Sequence, residues 1–200
     1  MNHPVHKDYA GAKLGMWLFL FTELLLFGGL FVLYAVYLAR YPQEFSTGGH
    51  QLNVVLGCIN TLILLTSSLF AAMAVTAIQQ DNRPLTLRLL GGTILCAAGF
   101  MVIKYFEWSA KIHHGIYPGS AKLTQGPPGE SVFFSLYYMS TGIHGLHVLI
   151  GAALLAWVAL QVKKGEVTGS DYVLLENGAL YWHLVDLIWI FIFPLYYLML

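Results

Sequence analysis

Charge is what this chain has least of. Lys, Arg, Asp and Glu supply 10% of its 200 residues against 58% hydrophobic, where ordinary globular chains carry roughly 25% charged residues. That balance excludes a water-soluble domain, because one apolar core cannot absorb so much aliphatic and aromatic surface. The bilayer must take the rest. Neither sign of charge is in surplus, with 10 basic side chains facing 10 acidic ones, which argues against nucleic acid as a partner. Cysteine is nearly missing. Cys58 and Cys96 fall inside apolar runs and read as reduced, buried small hydrophobes with no disulfide between them. The polar N-terminal stretch, 1–13, lacks the short apolar core and small-residue cleavage site of a signal peptide, so the first apolar run is expected to be a permanent span. Also missing are a nucleotide-binding glycine loop, a nucleophile elbow and a zincin motif. The last apolar run carries no Lys for a retinal Schiff base.

What the chain does have is long apolar runs. A spanning helix needs about 20 mostly apolar residues, and five segments qualify: about 14–39, 53–78, 85–108, 131–162 and 172–200. The expected fold is an all-α integral membrane protein, a five-helix transmembrane bundle in one domain over 1–200, with no internal repeat. Arg40-Tyr41-Pro42 stops the first run and the polar string 79–84 stops the second. The longest connection, about 109–130, ends in the turn string Gln125-Gly126-Pro127-Pro128-Gly129. A fresh helix start is expected at Glu130-Ser131, where acid and hydroxyl suit a helix N-terminus. Lys7, Lys13, Arg83, Arg88, Lys163 and Lys164 fall on one side, against Arg40, Lys111, Lys122 and a snorkelling Lys104 on the other. That bias places the N-terminus in the cytoplasm.

The polar residues inside these runs are the candidates for function, since they are costly at membrane depth. Glu23 lies about 15 Å into the first span, close to mid-bilayer. It reads either as a proton-handling or headgroup-sensing acid or as a structural hydrogen bond to a neighbouring helix. His144 and His147 share a helical face in the fourth span, and Glu176, His183 and Asp186 share one in the fifth. Together these five are expected to form one buried polar cluster that fixes helix packing. The sharper alternative makes His144, His147 and His183 ligands of a haem or metal. Bulky neighbours (Tyr137, Tyr138, Leu146, Tyr181, Trp182) crowd them, and neither cysteine has a second ligand at metal-binding spacing. No metal or cofactor site and no catalytic residue is therefore assigned to this chain. Lys104 and Glu107 sit three apart beside Trp108 at the end of the third span, as an interfacial anchor would. Gly28-Gly29 and Gly142/Gly145 permit close approach of a helix or a lipid chain.

Four blocks carry a resemblance. They are Gly15-Met16-Trp17-Leu18-Phe19 with Thr22-Glu23 and Phe27; Asn60-Thr61; Thr141 through Gly151; and Tyr181-Trp182-His183-Leu184-Val185-Asp186 with Trp189, Phe191 and the upstream Glu176. In order and spacing they resemble subunit III of the haem–copper terminal oxidases, and they span nearly the whole chain. The resemblance implies a non-catalytic structural subunit of a bacterial cytochrome c or quinol oxidase, a proton-translocating oxidoreductase complex of aerobic electron transport. Its haems and copper would reside in partner subunits. The partners implied are subunit I as the main contact, subunit II, and a small subunit IV or a respiratory supercomplex, in the bacterial inner membrane. Phospholipids would fill a cleft, with Glu23 near that cleft and the partner interface, and the chain would steady the proton-uptake side of subunit I. The mitochondrial form has seven helices and this chain matches the last five. Five-helix forms also include the nitric oxide reductase accessory protein, an alternative role on the same fold. From another class, an independent membrane haem protein would use His144 and His147.

Overall fold

The computed structural model describes residues 8–198, and every regular element among them is a helix. In chain order these are α1 Tyr9–Arg40, α2 Pro42–His50, α3 Val54–Gln79, α4 Arg83–His113, α5 Ala121–Thr124, α6 Pro128–Lys164 and α7 Val173–Tyr197. Five of them, α1, α3, α4, α6 and α7, are long and apolar enough to cross a membrane. Lys7 and the last two residues assigned to the fifth span lie outside the described residues.

The helix boundaries follow local chemistry. Asp8, Asn53 and Asn82 each accept a backbone N–H three residues on, capping α1, α3 and α4. Gly165, at φ 82°, closes α6 in the left-handed conformation. Glu166 N–H then reaches back to the Gln161 carbonyl at 3.0 Å. Three boundaries depart from expectation. α1 begins at Tyr9, five residues before the expected start of the first span. α6 begins at Pro128 rather than Glu130, because proline suits the first helical position and gives up only an N–H that would be unpaired there. α4 runs on to His113, past the expected end at Trp108.

One element had no sequence forecast. Pro42, read as a stop, also starts α2, whose Phe45 is fully buried edge-on to Tyr34 and Phe133. The helix is short and polar, so packing holds it in place rather than its own propensity.

α3, α4, α6 and α7 make the core. Trp182 and Trp189 of α7 are completely buried, and their indole N–H groups donate to Ser67 and Thr61 of α3 at 3.0 and 3.1 Å. α6 reaches Trp182 closely only because Gly151 has no side chain; a Cβ there would lie 2.9 Å from the ring. α1 lies along the outside, burying one stripe of Leu20, Phe27 and Tyr34. Cys58 corrects the reading of both cysteines as buried, because it faces outward on α3 and Cys96 is half-buried; both are free thiols.

Candidate functional site

The polar side chains inside the bundle sort by seam and depth. Between α1 and α6, Glu23 Oε2 lies 2.7 Å from His147 Nε2, with both side chains nearly buried (13% and 12% exposed). His147 Nδ1 donates to the Ile143 carbonyl at 2.8 Å, so one proton is shared along the Nε2–Oε2 contact. Phe27 meets the imidazole edge-on at 5.4 Å and covers it. The arrangement can hold a proton at mid-span and join two helices.

Nearer the N-terminal end of α1, Lys13 pairs with Glu176 of α7 at 2.9 Å, half-exposed. Between α3 and α7, His183 Nδ1 and the Ser68 hydroxyl are 2.7 Å apart. The Asp186 carboxyl, 3% exposed, has no hydrogen-bond partner on either oxygen. His144 is fully buried, with its ring against Phe100 at 5.5 Å and Trp189 at 5.1 Å and neither nitrogen partnered.

These five residues do not meet in a single cluster. Glu176 and His147 go to α1, His183 goes to Ser68, and His144 sits among aromatic rings. The face arithmetic holds, but ten residues separate Glu176 from Asp186 along α7, about 15 Å of depth. Among the described residues, no three His, Cys, Asp or Glu side chains converge in a group able to hold a metal ion.

The densest polar site is one read from sequence as a surface anchor. Lys104 does not snorkel outward. It is 6% exposed and Glu107 4%, and they pair at 2.9 Å inside the bundle. Lys104 also donates to the Tyr197 hydroxyl at 2.7 Å, and its ammonium lies 4.6 Å from the centre of the Trp189 ring. Glu107 Oε1 accepts from Tyr137 at 3.0 Å and from Tyr197 at 2.7 Å. One cation, one carboxylate and two phenols thus tie α4, α6 and α7 together. The helix periods turn Lys104 inward, and an inward lysine must be met by a counter-charge and acceptors rather than by water. Tyr137 and Tyr197 were missed because nothing in their own neighbourhoods marks them. The need of a buried Lys–Glu pair for further partners was the available signal. Trp108 alone fits the belt, half-buried and edge-on to Tyr138 at 5.1 Å.

Comparison with known proteins decides the family. The sequence model for cytochrome c oxidase subunit III matches residues 2–199. The chain belongs to that family. The four sequence blocks were therefore a true guide to it. Subunit III relatives include the cytochrome bo(3) ubiquinol oxidase subunit 3 of Pseudomonas putida, 32% identical over 97% of this chain and 88% of the relative. The cytochrome c oxidase subunit 3 of Corynebacterium diphtheriae is 32% identical over 90% of this chain and 84% of its own length. A heme-copper oxidase subunit I+III of Aeropyrum pernix is 32% identical over 98% of this chain, which spans 23% of that longer protein. As a subunit III of the haem–copper oxidase family, the chain is a membrane-spanning member of an oxidoreductase assembly.

Proposed function

We propose that the chain is a non-catalytic, structural subunit of a bacterial haem–copper respiratory oxidase. It braces the catalytic subunit that reduces oxygen to water, and it carries no redox centre of its own. The observation that carries this reading is the match of the family over residues 2–199. The site chemistry supports it. Seven of the buried or half-buried charged and imidazole groups are spent on one another or on Tyr and Ser partners, most of them across helix seams, as in a packing element. The Aeropyrum relative, whose name joins subunits I and III, supports subunit I as the main contact, with haems and copper held there and in subunit II. A small subunit IV or a supercomplex would attach at the periphery. On this reading Glu23 sits near a phospholipid cleft and the partner interface, and the α1 side steadies the proton-uptake side of subunit I.

Burial sharpens the orientation. Lys104 and Lys111 are enclosed, at 6% and 7% exposure, so Arg40 and Lys122 remain to oppose Lys13, Arg83, Arg88, Lys163 and Lys164. The surplus supports a cytoplasmic N-terminus in the bacterial inner membrane. The whole chain serves as one subunit III-like domain.

Affinity purification through this chain from native membranes tests the proposal. The expected complex consumes oxygen and contains copper with haem iron. Nitric oxide reduction by a complex with iron but no copper would assign the chain to the reductase accessory role instead. Purification without any haem-bearing partner would overturn the reading.

A further inference from the structure

At the end of the bundle away from the N-terminus, a pocket of about 430 Å³ opens between the start of α3 and the last turns of α4. Gln51, Asn53, Phe106, Lys111, His114 and Ile116 line it, and Glu107 is the one acid on its wall. Lys111 is only 7% exposed. Its ammonium donates to the Gln51 carbonyl at 3.1 Å, and an ammonium has three N–H donors, so two are left over. The ion pairs of the bundle, Lys13–Glu176, Lys104–Glu107 and His147–Glu23, leave Lys111 out. Glu107 stands one turn before it but is committed elsewhere. Its Oε2 accepts from Lys104, and its Oε1 from both Tyr137 and Tyr197.

Two enclosed ammoniums, Lys104 and Lys111, thus face one enclosed carboxylate, Glu107, which leaves one positive charge in excess. A buried charge without a counter-ion is costly, and the start of α3 on the same wall adds the positive end of a helix dipole. His114 does not answer it, since its Nδ1 donates to the Ala110 carbonyl at 2.6 Å. The demand is for one negative charge that accepts two hydrogen bonds. The walls narrow the choice. Leu56, Phe106, Ala110 and Ile116 make much of them, and the volume is more than ten times a water molecule's share of the liquid, about 30 Å³. A small inorganic anion would leave most of that space unfilled, and a phosphate would bring more acceptor oxygens than there are donors. A carboxylate on an apolar stem, carried by a protein backbone, fits both the charge and the space. We infer that this pocket receives an Asp or Glu side chain of a neighbouring subunit, whose carboxylate pairs with Lys111. The inference rests on the subunit reading proposed above.

The test uses the complex purified through this chain from native membranes. A water-soluble carbodiimide joins a carboxylate to an amine that touches it, and the linked peptides are read by mass spectrometry. The expected product joins Lys111 to an Asp or Glu of another subunit. In Lys111→Met, which deletes the charge and keeps the stem, that link is gone. Exchange of the tagged chain for an untagged copy then quickens at least tenfold, because truncating one partner of a buried charge pair acts on the off-rate. Ala110→Trp, at an exposed position on the pocket wall, fills the space and quickens exchange with Lys111 intact. Links from Lys111 to acids of this chain alone overturn the proposal, as does exchange of Lys111→Met at the parent's rate. Loss of a bound phosphate or phospholipid from Lys111→Met with exchange unchanged also overturns it, and gives the pocket to that anion. If the unmodified chain recovers no partner at all, the subunit reading falls, and this inference with it.

Discussion

α1 and α7 are both long apolar helices, yet the fold uses them in opposite ways. α7 is a hub: Trp182, Val185, Trp189, Ile192 and Tyr196 are enclosed, and it packs on α1, α3 and α6. α1 buries one stripe and turns Trp17, Phe21, Leu25 and Val32 outward at 58–65% exposure. Polar contacts stitch it on at three depths: Lys13 to Glu176, Glu23 to His147, and the Tyr34 hydroxyl to the Leu195 carbonyl at 2.6 Å. The contrast follows from the solvent. Lipid tails give apolar helices no hydrophobic reason to associate, so close packing and hydrogen bonds must do it. α7 has the packing, and α1 relies largely on the bonds.

The largest effect is expected in the core. Glu107→Leu strands the Lys104 ammonium among rings and should cost about 3–5 kcal/mol, read as a lowered unfolding midpoint in bicelles. Adding Lys104→Met should restore most of the loss, because no unpaired charge is left. Gly151→Ala pushes a methyl onto Trp182 and should cost about 1–3 kcal/mol by overpacking, measured in the same way. At the α1 seam, Glu23→Leu should cost about 0.5–1.5 kcal/mol, the scale of interhelical hydrogen bonds in membranes. It should speed proteolysis near α1 before it moves the core midpoint. A core loss as large as that of Glu107→Leu would break the distinction between the two regions. The smallest change belongs to Lys13→Ala, an exposed pair that salt screens. Its unfolding midpoint should match the parent at high ionic strength.

The spans were readable because hydrophobic length is a strong signal that does not depend on partners. α2 was not, since a short polar helix owes its existence to Phe45 reaching Tyr34 and Phe133 from far along the chain. Polar residues were legible as unusual at their depth, but their pairings were not. Helical spacing groups Glu176, His183 and Asp186 on one face, yet only the neighbouring helix at each level sets the partner. The same limit turned Lys104 from an expected snorkelling anchor into the centre of a four-residue knot.

The most direct test of the central claim is a reduced-minus-oxidised optical spectrum of two samples: this chain expressed alone, and the native complex recovered through it. Haem bands confined to the complex, with oxygen consumption, are the predicted result, and His147→Leu should then weaken assembly without deleting a band. Haem bands in the isolated chain would contradict the account and make its histidines ligands.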